Sequence, residues 1–233
     1  LDAARPFTID VERFPSLREL VNDLHGHGFQ VVAAQHPAIK ADETYPPFLT
    51  GAHRHAFVRY PDGSLVRAAG QSGTSVFADF TREDVRHWWS EQLAPLVRAG
   101  IDGIENRAAS PDIQRHGAVA TLPDAAQHGT ETSLPHPIAH NLYANGMAAT
   151  SRDAFDQYGS ALRHLLMLPA GWSGAAQYGF PWVSNQNCDW EALRSSVRAV
   201  LNASLSALPY VGIDLPACEN GEMQTRWLQA TAL

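Results

Sequence analysis

Helix-type and strand-type segments alternate about five times along the 233 residues, and this limits the possible folds more than any other feature. Pro15 opens a stretch with Leu17, Leu20, Val21 and Leu24 at helical spacing, closed by Gly26 and Gly28. Residues 29–34 form a short apolar run, expected as a buried strand. Thr81 is expected to cap a helix carrying Val85, Trp88, Trp89, Leu93, Leu96 and Val97, which Gly100 ends. Residues 100–106 then have the composition of a strand. Residues 107–142 are polar and rich in Pro, Gly and His, the pattern of a long functional or disordered loop. A helix over 151–164, strands over 165–168 and 175–184, a helix marked by Trp190, Leu193, Val197 and Leu201, a strand over 210–215 and a helix over 222–232 complete the order.

Such an order predicts an α/β fold: a parallel sheet with helices outside it, either open or part of a barrel. In both cases chemistry gathers at the C-terminal ends of the strands. Those ends fall near Gln35, residues 105–107, Pro169, residues 182–185 and Asp214. The formal charge of −7, with no Lys/Arg cluster, argues against nucleic acid as a partner. No apolar run approaches the roughly 20 residues that cross a bilayer, so no membrane span is expected. Cys188 and Cys218 match no zinc spacing and are expected as two unpaired thiols. The close histidine pairs, His25 with His27 and His53 with His55, lack a third ligand at a recognised offset, and neither metal nor cofactor is expected. Trp88, Trp89, Trp190 and Trp227 lie on predicted helices and are expected in the core. Trp172 and Trp182 lie near strand ends, where a ring could stack on a bound ligand.

Seven motifs in order then resemble the catalytic barrel of glycoside hydrolase family 31. Phe14-Pro15 and residues 28–39 (GFQVVAAQHPAI) are similar to FP, G-x-x-x-V and D-P-x-I. Residues 76–89 (VFADFTREDVRHWW) resemble F-P-D-F-T-N-P…WW, and residues 100–111 (GIDGIENRAASP) resemble G-I-D-G-I-W-N-D-M-N-E-P without a gap. Residues 140–143 (HNLY) resemble H-N-x-Y, and residues 182–190 (WVSNQNCDW) resemble W-x-G-D-N-x-x-x-W. Residues 211–218 (VGIDLPAC) resemble V-G-x-D-I-G-G-F, and Arg226-Trp227 a following R-W. The resemblance covers nearly the whole chain. It implies one partial (β/α)8 TIM-type barrel over 1–233, roughly strands three to seven of eight, within a longer barrel and without a second domain. It also implies retaining hydrolysis of O-glycosyl bonds in α-glucosides, in which one carboxylate attacks the anomeric carbon and a second acts as acid and then base.

The chain departs from the family where that chemistry would sit. The nucleophile position falls on Arg107, a permanent cation, and the acid/base position on Asn185, which has no titratable proton. The motif's Glu falls on Ser110 and its Trp on Glu105. Other sugar contacts of the family fall on His36, Gln71, Pro169 and Cys218. Trp182 and Asp214 match sugar-contacting positions, whereas Asp79, Trp88, Trp89, Asn141, Arg226 and Trp227 match mainly scaffold positions.

The expectation is therefore a hydrolase fold without hydrolase activity: a pseudoenzyme that retains weak binding of a carbohydrate ligand or has a regulatory role, or a decayed homologue. An active α-glycosidase would need replacement carboxylates, for which Glu105 and Asp189 are the candidates. Against that role, Glu105 can pair with Arg107, and Asp189 can serve as the N-terminal carboxylate of the helix at Trp190. A third reading is a structural or interaction module with no sugar ligand. Leu1 and the helical pattern at 227–233 suggest an internal segment of a longer protein. The segment alone is expected to be poorly soluble, because the remainder of the barrel is needed for closure.

Overall fold

The computed structural model describes residues 5–70, 73–107, 113–115, 118–130, 132–160, 162–169, 172–183 and 187–232. In chain order these form α1 (Leu17–Gly26), β1 (Val32–Gln35), β2 (Ala38–Lys40), α2 (Pro46–His53), β3 (Ala68–Gly70), β4 (Gly73–Phe77), α3 (Glu83–Arg98) and β5 (Gly103–Asn106). There follow β6 (Ile113–Arg115), β7 (Ala118–Ala120), β8 (Gln127–His128), β9 (Leu134–Pro135), α4 (His136–Tyr158), β10 (Leu165–Leu168), β11 (Phe180–Val183), α5 (Trp190–Leu205), β12 (Gly212–Ile213) and α6 (Gly221–Thr231).

The expected α/β barrel segment is present. A parallel five-stranded sheet runs β1-β5-β10-β11-β12, with helices returning the chain between most strands. Its register aligns Val32 with Gly103 and Leu165, Ala34 with Glu105 and Met167, and Trp182 with Gly212. Because side chains alternate along a strand, Gly103, Glu105 and Arg107 share one face with Ala34, His36, Trp182 and Asp214, while Ile104 and Asn106 point to the other. A second sheet, antiparallel in the order β2-β4-β3-β6-β7, is built from the β1–α3 and β5–α4 connections.

The main core lies on the Ile104 side, where Val21 of α1, Trp88, Trp89 and Leu93 of α3, and Tyr143, Met147 and Phe155 of α4 pack against Ile104 and Leu166. Trp89 meets Phe7 and Phe80 edge-on at 4.7 and 4.9 Å, and Phe80 meets Tyr143 at 5.1 Å. Such edge-to-face contacts suit the ring quadrupoles and add to the burial itself. The opposite, barrel-interior face is open: Val32 and Leu165 remain 39% and 40% exposed there. Among the described residues β1 and β12 each have a strand partner on one side only. No described helix is long and apolar enough to cross a membrane.

Several expectations need correction. The first strand begins at Val32, not at residue 29, and Phe29 is exposed where the chain turns out of α1, its N–H donating to Leu24 O at 2.9 Å. Thr81 does not cap α3. The N-cap is Arg82, and the Thr81 hydroxyl instead donates to Asp79 at 2.6 Å. The presumed loop 107–142 contains four short strands and the first turns of α4, which starts at His136 rather than Ser151. Pro137 fits that first turn because its missing N–H would have no partner there anyway. Residues 175–177 form a 3-10 turn, so the strand expected from residue 175 is confined to Phe180–Val183. Trp190 is exposed on the outer side of α5, in an apolar stripe with Val197, Leu201 and Leu205. Finally, Cys188 and Cys218 are not free thiols. They form a disulfide, with Cα atoms 5.4 Å apart.

Candidate functional site

The C-terminal ends of β1, β5, β11 and β12 bring a small polar group to the barrel mouth. Arg107 leaves β5 with its backbone N–H donating to Gln35 O at 2.7 Å, which extends the parallel ladder by one step. Its Nε donates to Glu105 Oε1 at 2.8 Å. These residues are two apart on one strand, so both reach the same face. The bond to Glu105 raises the Arg107 pKa against the opposing effect of burial, and the charges of Glu105 and Asp214 add to the rise. Arg107 is therefore a fixed cation held on a carboxylate and within the field of a second one.

Trp182 and Asp214 form the other half of the group. The Asp214 N–H donates to Val183 O at 3.1 Å, and its Oδ1 accepts the Trp182 indole N–H at 2.5 Å. A Cβ at Gly212 would run into the Trp182 ring, so the absence of a side chain there lets the indole lie across β12. His36 stands just beyond β1, half-buried. Burial lowers its pKa, the Arg107 charge lowers it further, and Glu105 partly opposes both. The imidazole is thus neutral at neutral pH. With one guanidinium and two carboxylates, the group carries one net negative charge.

The sequence-derived candidates divide accordingly. Glu105, Arg107, Trp182, Asp214 and His36 come together. Asp189 serves as the N-cap of α5, its Oδ1 accepting the Ala192 N–H at 2.6 Å, where the helix dipole favours a carboxylate. Asn185, Ser110 and Gln71 lie outside the described residues. Pro169 follows β10, and Cys218 is in the disulfide that joins the loops after β11 and β12. Among the described residues no three His, Cys, Asp or Glu side chains form a metal-sized cluster. His25 instead bonds Asp102 at 2.8 Å, and His27 bonds the Asp23 carbonyl at 2.8 Å. Sequence reasoning missed the disulfide and a buried line of hydrogen bonds through Asp79, His128 and His136. Nothing in the spacing of eleven histidines points to the latter.

Fold and mouth together define the class, a (β/α) barrel protein whose polar residues gather at the strand C-termini. The model of the Glycosyl hydrolases family 31 TIM-barrel domain matches residues 1–233, and the chain belongs to that family. It is 30% identical over 235 residues to alpha-glucosidase 2 of Bacillus thermoamyloliquefaciens, covering 100% of this chain and 30% of that protein. It is 28% identical to an alpha-glucosidase of Saccharolobus solfataricus, covering 92% of this chain and 33% of the relative. The chain thus spans about a third of the length of these relatives. The crystal structure of a Tris-bound glucosidase II alpha subunit superposes with a TM-score of 0.86 at 22% identity, over 98% of this chain and 25% of that one. That likeness establishes the fold.

Proposed function

We propose that this barrel mouth binds a carbohydrate without hydrolysing it. The carrying observation is Arg107, locked onto Glu105 at the strand-end position where the family resemblance expects the nucleophilic carboxylate. A guanidinium cannot form a glycosyl ester, and its charge opposes the oxocarbenium-like transition state. Asn185 in the acid/base position offers no proton to the leaving oxygen. The two carboxylates that sequence reasoning offered as replacements already have other partners: Glu105 accepts from Arg107, and Asp189 from the start of α5. Sugar binding is supported by Trp182 and Asp214, an indole face beside a carboxylate at the mouth, and by the alpha-glucosidases among the relatives. Residues 1–233 act in this reading as one partial barrel. The remaining strands of the barrel close its two open edges.

The test is release of the aryl group from an aryl α-glucoside by the full-length protein, with calorimetry on the same ligand. The double variant Arg107→Asp/Asn185→Asp is run beside it. Binding heat without turnover is expected, and any turnover gained by the variant would show that the rest of the pocket is intact. Turnover by the unaltered protein would overturn the proposal and make Glu105 and Asp189 the first residues to replace. Neither heat nor turnover would replace it with a purely structural role.

A further inference from the structure

Four side chains from separate stretches of the chain form one continuous line of hydrogen bonds. Thr121 Oγ1 lies 2.7 Å from His136 Nε2, His136 Nδ1 lies 3.0 Å from His128 Nε2, and His128 Nδ1 lies 3.2 Å from Asp79 Oδ1. Asp79 is further held by the Thr81 hydroxyl at 2.6 Å and the Gly129 N–H at 2.7 Å. The two imidazoles are 0% and 1% exposed and Asp79 is 3% exposed. Hydrogen bonds from His128, Thr81 and Gly129 outweigh the burial that would raise the Asp79 carboxyl and hold its pKa below the usual range.

The ionised carboxylate fixes the direction of the whole line, because it can only accept. His128 must carry its proton on Nδ1, which leaves Nε2 to accept. His136 must then donate from Nδ1 and accept at Nε2 from the Thr121 hydroxyl. Both rings are neutral in this arrangement and every nitrogen is used. One added proton puts a charge on a buried ring pair whose bonded anion is Asp79, at the His128 end only. A second sets donor against donor between the rings.

The line joins distinct parts of the fold. Asp79 follows β4, Thr121 follows β7, His128 ends β8, and His136 is the first residue of α4. The titratable neighbours are Tyr143 and His140 of α4 and Asp124 of the β7–β8 connection. Tyr143 packs edge-on against His128 at 6.1 Å, and His140 against His136 at 5.4 Å. Burial lowers the His136 pKa to about 4, with contributions from the charges of His128 and His140, while Asp124 opposes them. Tyr143 is raised by its own burial and by Asp79, and stays neutral.

We propose that this line is an acid-released latch: uptake of a proton by His136 breaks its bond to His128 and lets go of the first turn of α4 from β8. The sign follows from linkage. A histidine whose pKa is lower folded than unfolded contributes stability above the unfolded value, and that contribution is lost as pH falls. The window for His136 therefore runs from 6.5 down to about 4. Asp79 loses its own contribution only below the usual carboxylate range, outside most of that window.

Hydrogen exchange of the full-length protein, corrected for the intrinsic rate at each pH, tests this. From the two His136 values, protection of the Gln127, His136 and His140 amides should fall roughly tenfold between pH 7.5 and 5.5. His136→Gln, which has no titratable ring, should show no such fall. Should that variant not fold, nitrogen-labelled histidine spectra of the unaltered protein serve instead. Both rings should be neutral and carry the proton on Nδ1 at pH 7.5. Flat protection in the unaltered protein, an equal fall in His136→Gln, or an Nε2–H or cationic ring at pH 7.5 would each overturn the latch.

Discussion

The two faces of β5 differ in what their neighbours demand of them. On one face Ile104 and Asn106 are buried, Ile104 against the helices and Asn106 accepting the Ser151 hydroxyl of α4 at 3.0 Å. On the other, Glu105 and Arg107 meet each other at the mouth, with side chains 22% and 55% exposed. The helix face keeps the aromatic and aliphatic residues that the family motifs predict. In the function proposed above, the mouth face is where this chain departs from them. Folding constrains the first face through close packing, in which even one methylene is felt. The second carries polar side chains on an open face, so a substitution there leaves that packing untouched.

If that division is right, substitutions on the two faces should differ in kind. The largest effect on stability is expected from Trp89→Ala in the helix-side core. The side chain is 0% exposed, and its removal should cost about 3–5 kcal/mol in denaturant unfolding of the full-length protein. A loss under about 1 kcal/mol would mean that the aromatic cluster is loosely packed. Next comes the cross-link behind the mouth. Replacing Cys188 and Cys218 by Ser removes a bond between residues 30 apart in sequence and should cost about 3–4 kcal/mol on loop-entropy grounds. The same melting shift should appear on adding a reductant to the unaltered protein and not to the variant. The smallest effect belongs to Glu105→Gln at the mouth. A half-exposed pair contributes less than about 1 kcal/mol, so stability should hardly move. The pKa of His36 should nevertheless fall further, because Glu105 is the group that raises it. A titration of the His36 ring that does not shift would separate it from the Arg107 group.

The sequence showed the parallel sheet because its strands are apolar runs between helices with large residues at regular spacing. It hid the antiparallel sheet, whose strands over Ala38–Lys40 and Ala68–Gly70 are three residues long and rich in alanine and glycine. The first half of α4 was invisible for a related reason. Its buried positions include Ala139, Ala144 and Ala148, too small to mark a helical stripe. At the site, pairing of Glu105 with Arg107 could be anticipated from strand alternation, and the role of Asp189 from its place ahead of Trp190. The bond between Trp182 and Asp214 depends on the β11–β12 register, and the disulfide on how the loops after those strands meet. The Asp79–His128–His136 line depends on the packing of α4. None of these is a property of local spacing.

Cys188 and Cys218 enclose one full pass of the chain, out along α5 and back through β12. Their thiols meet only after that pass has returned beside β11. Alkylation of the remaining thiols therefore counts the molecules in which that pass has not yet docked, and the count can be taken on the nascent chain with neither ligand nor substrate in hand.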